Sequence, residues 1–146
     1  MQITIQSEDD LSAFCQKVSR IIAPPMIIGL NGPMGSGKTT FVRHLGNALQ
    51  SPDWINSPTY ALMQSYSTPH PYKLLHIDLY RTNSETEIDL LDIPHHITPS
   101  TIVLIEWLNK TSQFEADLTL TFRIQETHRT IDLNAKKTAV LSHLIP

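Results

Sequence analysis

Eight consecutive residues, Gly32-Pro33-Met34-Gly35-Ser36-Gly37-Lys38-Thr39, constrain this chain more than anything else in it. They satisfy the phosphate-loop pattern, Gly-x-x-x-x-Gly-Lys-Ser/Thr, at every fixed position. That pattern works in one setting only. A buried strand has to deliver the chain to a tight turn, and glycines have to let the backbone curl until successive N–H groups point inward. A helix then has to start at once, so that its positive end faces the same point. Both flanks meet the demand. Met26 to Leu30 is a nearly continuous apolar run between prolines and the glycine-rich segment, as in a fully buried parallel strand. From Lys38 to Leu49, the residues Phe41, Val42, Leu45 and Leu49 recur at helical spacing. The expectation is an ATP-type triphosphate with Mg²⁺ on this loop. Gly32, Met34, Gly35, Ser36, Gly37 and the first helical residues through Thr40 would surround the phosphates, Lys38 would reach the β and γ phosphates, and the Thr39 hydroxyl would ligate the metal. Pro33 has no amide hydrogen and cannot donate.

The rest of the chain reads as helices and strands arranged around that loop. Gln2 to Gln6 alternates apolar and polar residues, as a short strand does. Ser7 with Asp10 three residues on resembles a capping box, and it opens a helix with the apolar stripe Leu11, Phe14, Cys15, Val18, Ile21 and Ile22. Tyr60 to Tyr66 and Tyr72 to Ile77 read as strands, and their connection through Thr68-Pro69-His70-Pro71 is short enough to favour antiparallel pairing. Glu85 to Leu91 predicts a short helix, and His95-His96 beside Pro94 read as loop residues without the spacing of a metal pair. Thr101 to Glu106 is a second buried strand, Asp117 to Ile124 an alternating one, and His128 to Leu133 can pair with it. Asn134 is expected to cap a last helix carrying Val140, Leu141, Leu144 and Ile145 on one side. The sum is an α/β, phosphate-loop NTPase-like, three-layer fold with a central mixed β-sheet flanked by helices. It reads as a single domain over residues 1–146.

Composition removes several function classes. A formal net charge of -3, with Lys136-Lys137 the only adjacent cationic pair, excludes a protein whose main task is to coat nucleic acid, because that requires clustered Lys and Arg. One cysteine, Cys15, can form no internal disulfide, and no apolar stretch is long enough to span a bilayer. The N-terminus lacks the basic start and apolar run of a secretory signal. These features predict a soluble, cytoplasmic protein that does not engage membranes.

Two acids end apolar strands, Asp78 and Glu106, and in open α/β sheets ligands bind outside the carboxyl ends of strands. Downstream of a complete phosphate loop, both are expected to face Mg²⁺ or an attacking water, with Glu106 the first choice for organising them. Thr59 stands where phosphate-loop proteins often keep a segment that senses the γ-phosphate. His76 alternates with Asp78 and shares its side of the strand, yet reads as a packed, neutral histidine because the sequence shows no base partner. Trp107 reads as core or pocket lip, where its apolar face would raise the pKa of Glu106.

The loop with its Thr39-Thr40-Phe41 continuation, Ser57-Pro58-Thr59-Tyr60, His76-Ile77-Asp78-Leu79-Tyr80-Arg81 and Ile105-Glu106-Trp107 together resemble the TsaE family, also called YjeE. This family is the ATPase component of bacterial tRNA threonylcarbamoyladenosine synthesis. The resemblance covers essentially the whole chain, although Leu108-Asn109 stand where the family commonly continues with a proline and an acid. It implies a partner-stimulated, Mg²⁺-dependent ATPase that works with a TsaD–TsaB heterodimer and meets tRNA only through that complex. It further implies catalytic roles for Glu106, Asp78 and Thr59, metal contacts from Thr39, Glu106 and Asp78, and a partner-facing surface at Tyr80 and Arg81. Ser7, Glu8 and Arg129 are carried over as candidates near the adenine, although Arg129 otherwise reads as a plain edge-strand charge. Two other classes compete. A small-molecule kinase needs several arginines around a second substrate, and a GTP-dependent switch needs an Asn/Thr-Lys-x-Asp segment, whereas Asn109-Lys110 is followed by Thr111-Ser112.

Overall fold

The computed structural model describes residues 1–56 and 62–144. Thr59 and the start of the segment from Tyr60, like Ile145 at the end, lie outside the described residues. The strands are β1 (Gln2–Ile5), β2 (Met26–Asn31), β3 (Met63–Tyr66), β4 (Lys73–Asp78), β5 (Thr101–Glu106), β6 (Leu118–Ile124) and β7 (Arg129–Ala135). They form one seven-stranded sheet in the order β1-β7-β6-β2-β5-β4-β3. Parallel pairing joins β2 to β5, β2 to β6 and β4 to β5, while β1 to β7, β3 to β4 and β6 to β7 are antiparallel. The strand that feeds the glycine-rich loop thus lies at the centre of a mixed sheet.

Residue alternation sorts the sheet into two faces. Leu74, Ile102, Leu104, Ile28 and Leu30 pack with α1 (Glu8–Ile21) and α2 (Lys38–Ala48) on one side. Leu75, Ile77, Val103 and Ile105 pack on the other with Ile88 of α3 (Glu85–Asp89) and Ile93 of α4 (Ile93–His96). The layers are therefore helix, sheet, helix, and the sheet is apolar on both faces as its central parallel strands require. Phe41 shows how α2 is held down. It is fully buried, with Phe14 at 6.1 Å and Phe122 at 6.0 Å between ring centroids, a burial that stabilises by roughly 1.5–3 kcal/mol. Gly46 allows the same helix to approach Ile55, whose Cδ1 would lie 2.0 Å from an added Cβ.

Local signals were followed closely at the start of α1. Ser7 Oγ accepts from Asp10 N at 3.2 Å and Asp10 Oδ2 accepts from Ser7 N at 3.0 Å, a complete capping box. Three expectations need correction. Asn134 does not cap the last helix, because it lies inside β7 paired with Thr119; α5 (Thr138–Ser142) starts later, after Lys137, with no side-chain cap. His95 and His96 are the last turn of α4 rather than loop, since Asp92 and Pro94 start a short turn there. Arg129 is not on an edge strand, because β7 is covered by β1 on one side and β6 on the other. Among the described residues no helix is long and apolar enough to cross a membrane, and no cluster of His, Cys, Asp and Glu could hold a metal ion by itself.

Cys15 faces the α1–α2 seam, fully buried, with Sγ 3.6 Å from Phe41 O. Burial pushes its thiol pKa far above the ordinary value, so thiolate is scarce as well as shielded. The native protein is expected to leave an aromatic disulfide reagent unreacted over minutes and to consume one equivalent once unfolded in guanidinium, followed by absorbance. Rapid reaction of the folded protein would contradict this packing.

Candidate functional site

The loop after β2 is built by three glycines at positive φ: Gly32 at 136°, Gly35 at 75° and Gly37 at 108°. At Gly32 a side chain is excluded twice over, since an added Cβ would also sit 2.5 Å from the carbonyl oxygen of Phe122. Gly35 has open space around it, so there the backbone conformation alone selects glycine. Gly37, in the left-handed region, hands the chain to α2 without any side-chain cap, so the helix N-terminus presents its N–H groups to the loop's hollow. Ser36 is buried, and its Oγ has no partner among the described residues. Lys38 curls back over this hollow, 5% exposed, with Nζ donating to Gly32 O at 2.7 Å and Pro33 O at 2.9 Å. Uncapped N–H groups, an orphaned buried hydroxyl and an inward ammonium are the donor set that phosphate oxygens require.

Beside the loop the strand ends supply acids. The parallel register of β4 and β5 sets Asp78 directly opposite Glu106. Glu106 is buried, and its Oε1 accepts from Thr39 Oγ1 at 2.7 Å and lies 3.2 Å from His76 Nε2. Thr39 spends its proton on Glu106, so its oxygen keeps only acceptor capacity, which a divalent cation would take together with the two carboxylates nearby. Burial works to raise the Glu106 pKa, but His76, Thr39 and the Lys38 charge outweigh it and hold the carboxyl below its usual range. Asp78 is pushed the other way, by burial first and then by the Glu106 charge, against the lowering effect of the Tyr80 N–H that it accepts at 2.9 Å. Burial also lowers the Lys38 pKa, opposed by the charges of Glu106 and Asp78. The two acids are therefore unequal, one ionised readily and one reluctant, as sites that handle metal and water often arrange.

Trp107 contributes differently from the sequence expectation. Its ring lies under Lys38 Nζ, 4.5 Å from the centroid, and packs on Tyr80 at 5.3 Å. The Glu106 carboxyl is held low rather than raised, because hydrogen bonds and cations dominate its surroundings. Trp107 also takes φ 61°, a left-handed turn that ends β5 sharply and swings the ring to the rim. Lys110, which sequence reading overlooked as a contributor, donates to Thr82 O at 3.0 Å and to Tyr80 O, and sits 5.9 Å from the Trp107 ring. It ties the turn after β4 to the turn after β5.

These groups surround one cleft of ≈ 370 Å³ that holds Met34, Gly35, Gly37, Lys38, Thr39, Thr40, Asp78, Glu106 and Trp107, with Tyr80 and Arg81 exposed at its rim. A second cleft of ≈ 300 Å³ lies across the loop and shares Gly35, Gly37 and Thr40 with the first. Ser7, Glu8, Ser36 and Arg129 line it together with Phe122, Thr127 and His128. Ser7 Oγ is already engaged as the helix cap, and Glu8 Oε1 lies 2.9 Å from His44 Nε2. Sequence reading missed Thr127 and His128, whose place depends on the β6–β7 turn curling over the loop.

Comparison with known proteins sets this geometry in a family. The family model described as threonylcarbamoyl adenosine biosynthesis protein TsaE matches residues 5–136. A tRNA threonylcarbamoyladenosine biosynthesis protein TsaE of Aquifex aeolicus is 38% identical over 82 residues, which are 55% of this chain and 61% of that protein. The protein of the same name from Rickettsia bellii is 36% identical over 107 residues, 73% of each chain. That of Borreliella burgdorferi is 30% identical over 138 residues, 92% of this chain and 99% of the relative. The crystal structure of Bacillus subtilus YdiB superposes with a TM-score of 0.76, covering 99% of this chain and 93% of that one at 18% identity, a likeness of fold. With its model matched from residue 5 to residue 136 and a relative aligned almost end to end, the chain belongs to the TsaE family.

Proposed function

We propose that this protein binds ATP with Mg²⁺ on the 32–39 loop and hydrolyses it as a component of tRNA threonylcarbamoyladenosine biosynthesis, acting with TsaD and TsaB homologues in the cytoplasm rather than modifying tRNA itself. The observation that carries the reading is the 2.7 Å bond from Thr39 Oγ1 to Glu106 Oε1, which couples the phosphate loop to a buried strand-end carboxylate. Bound MgATP would supply an electrophilic γ-phosphoryl group. Loop N–H groups and Lys38 neutralise phosphate charge, Thr39 with Glu106 and Asp78 holds the metal shell, and Glu106 orients the attacking water. Thr59 is assigned the sensing role in the switch segment. Ser7, Glu8 and Arg129 are assigned to the nucleoside side, in the second cleft. Tyr80 and Arg81, exposed at the mouth, are assigned to the partner.

A kinase reading is less well supported. Of the five arginines, Arg20 lies in the last turn of α1 away from both clefts, Arg123 pairs with Asp132 at 2.5 Å and Arg43 is directed at Ile55 O, so one arginine lines each cleft, Arg81 the first and Arg129 the second. The same shortage near the γ-phosphate side predicts slow hydrolysis by the isolated chain. Added TsaD and TsaB homologues are expected to raise the rate at least about 10-fold, below the ~10³–10⁵ that a supplied arginine gives other NTPases. Phosphate release measured with and without the pair decides this. Fast turnover indifferent to the partners, or phosphate transfer to nucleosides in place of water, would replace the proposal.

A further inference from the structure

Glu106 is a carboxylate with 3% exposure, and a buried carboxylate keeps its charge only where polar partners offset its lost hydration. Asp78, opposite it on β4, shares a side-chain hydrogen bond with the carboxyl group, and Oε1 meets two further partners from two different elements. Thr39 Oγ1, at 2.7 Å, comes from the first turn of α2, the part of the molecule that a nucleotide engages. His76 Nε2, at 3.2 Å, comes from the interior of β4, where pairing with Gln64 on one side and Leu104 on the other fixes the backbone. The β4–β5 register explains the reach: Asp78 lies opposite Glu106, and His76 lies one pleat back on the same α2-facing side. The ring itself has no exposure, and among the described residues Nδ1 has no hydrogen-bond partner, so the Glu106 contact sets how the imidazole is turned.

We propose that His76 is the positioning residue of Glu106: its Nε2–H, fixed on β4, holds the carboxylate in the rotamer that meets Thr39 at the phosphate loop. The inference rests on the assignment of Glu106 to metal and water. His76 touches neither ligand nor reacting atoms and acts through the orientation of another side chain, as outer-shell partners do at metal and phosphoryl-transfer sites. A histidine that merely filled the core would be replaceable by an apolar side chain of similar volume; a positioning histidine is replaceable only by another N–H donor.

Two variants of the full chain separate these cases. His76→Leu keeps volume without a donor, and His76→Gln carries an amide N–H to nearly the place of Nε2. With TsaD and TsaB homologues present, the Leu variant is expected to lose about 10- to 100-fold in kcat, the range for outer-shell partners, while the KM for MgATP stays within about 2-fold. The Gln variant is expected to recover most of kcat. Ring ¹⁵N–¹H NMR of the nucleotide-free protein gives a readout apart from activity: His76 should carry its proton on Nε2, and its Nε2 signal should move in Glu106→Gln. Unchanged kcat in a folded Leu variant, an equal loss in Leu and Gln, or a bare Nε2 with the proton on Nδ1 would overturn the proposal. Absence of ATP hydrolysis by the unaltered protein with its partners would instead remove the functional reading, and the ring tautomer would then decide the role of His76 by itself.

Discussion

Glu106→Gln is expected to lower single-turnover ATP hydrolysis by at least ~10²-fold while leaving MgATP affinity much closer to that of the unaltered protein. The substitution is nearly isosteric. The amide oxygen still accepts from Thr39 Oγ1 and from His76, so the α2–β5 contact seen at 2.7 Å survives. What disappears is charge at the point where water must be oriented and metal held, and with it the attraction that opposes the lowering of the Lys38 pKa. Asp78 also loses the neighbouring charge that helps to raise its pKa, so it should ionise at lower pH in the variant. Stopped-flow nucleotide binding beside single-turnover hydrolysis, both with partners present, separates the roles. Equal losses in the two would mean that Glu106 mainly holds metal in the ground state. Normal hydrolysis would mean that another residue does the work assigned to it here.

The places where sequence reading succeeded and failed have physical causes. The strand, loop and helix around Gly32–Thr39 were legible because their determinants are local: an apolar run, glycines where φ is positive, and a 3.6-residue period. Asp78 and Glu106 were legible as strand-end acids for the same reason. Their direct opposition was not, because it depends on which strands become neighbours and in what register. His76 was read as a plain packed histidine because its partner is 30 residues away in sequence and one pleat away in space. Asn134 misled for the converse reason. An Asn before an apolar period is a good local cap signal, but the β6–β7 ladder holds Asn134 in register with Thr119, and the strand runs on to Ala135 before a helix can start. Trp107 was read as core or pocket lip, and its left-handed backbone and its position under Lys38 follow from how β5 ends, which no periodicity encodes. Conversely, the second cleft gathers Ser7 and Glu8 from the N-cap and first turn of α1 and Arg129 from the start of β7, a grouping that family resemblance supplied and local pattern did not.

Lys38→Ala is expected to weaken MgATP binding by ~10²-fold, the consequence of losing one or two charge-assisted hydrogen bonds at about 1.5–3 kcal/mol each, where ~1.4 kcal/mol is tenfold. The structure makes the ammonium unusually well prepared for this task. It is 5% exposed, held by Gly32 O and Pro33 O at 2.7 and 2.9 Å, and backed by the Trp107 face at 4.5 Å. A ligand phosphate therefore meets a cation whose rotamer is already restricted, and little side-chain entropy remains to be lost on binding. Truncation removes that cation and exposes two loop carbonyls to water, which can hydrate them from the open cleft, so the fold itself should persist. Lys38→Arg should not restore affinity, because the planar guanidinium cannot occupy the space between those carbonyls and the indole as a compact ammonium does. Titration calorimetry of both variants, with thermal melts to register folding, measures the effect. A folded Lys38→Ala protein with an unchanged dissociation constant for MgATP would mean that the triphosphate is not bound on this loop.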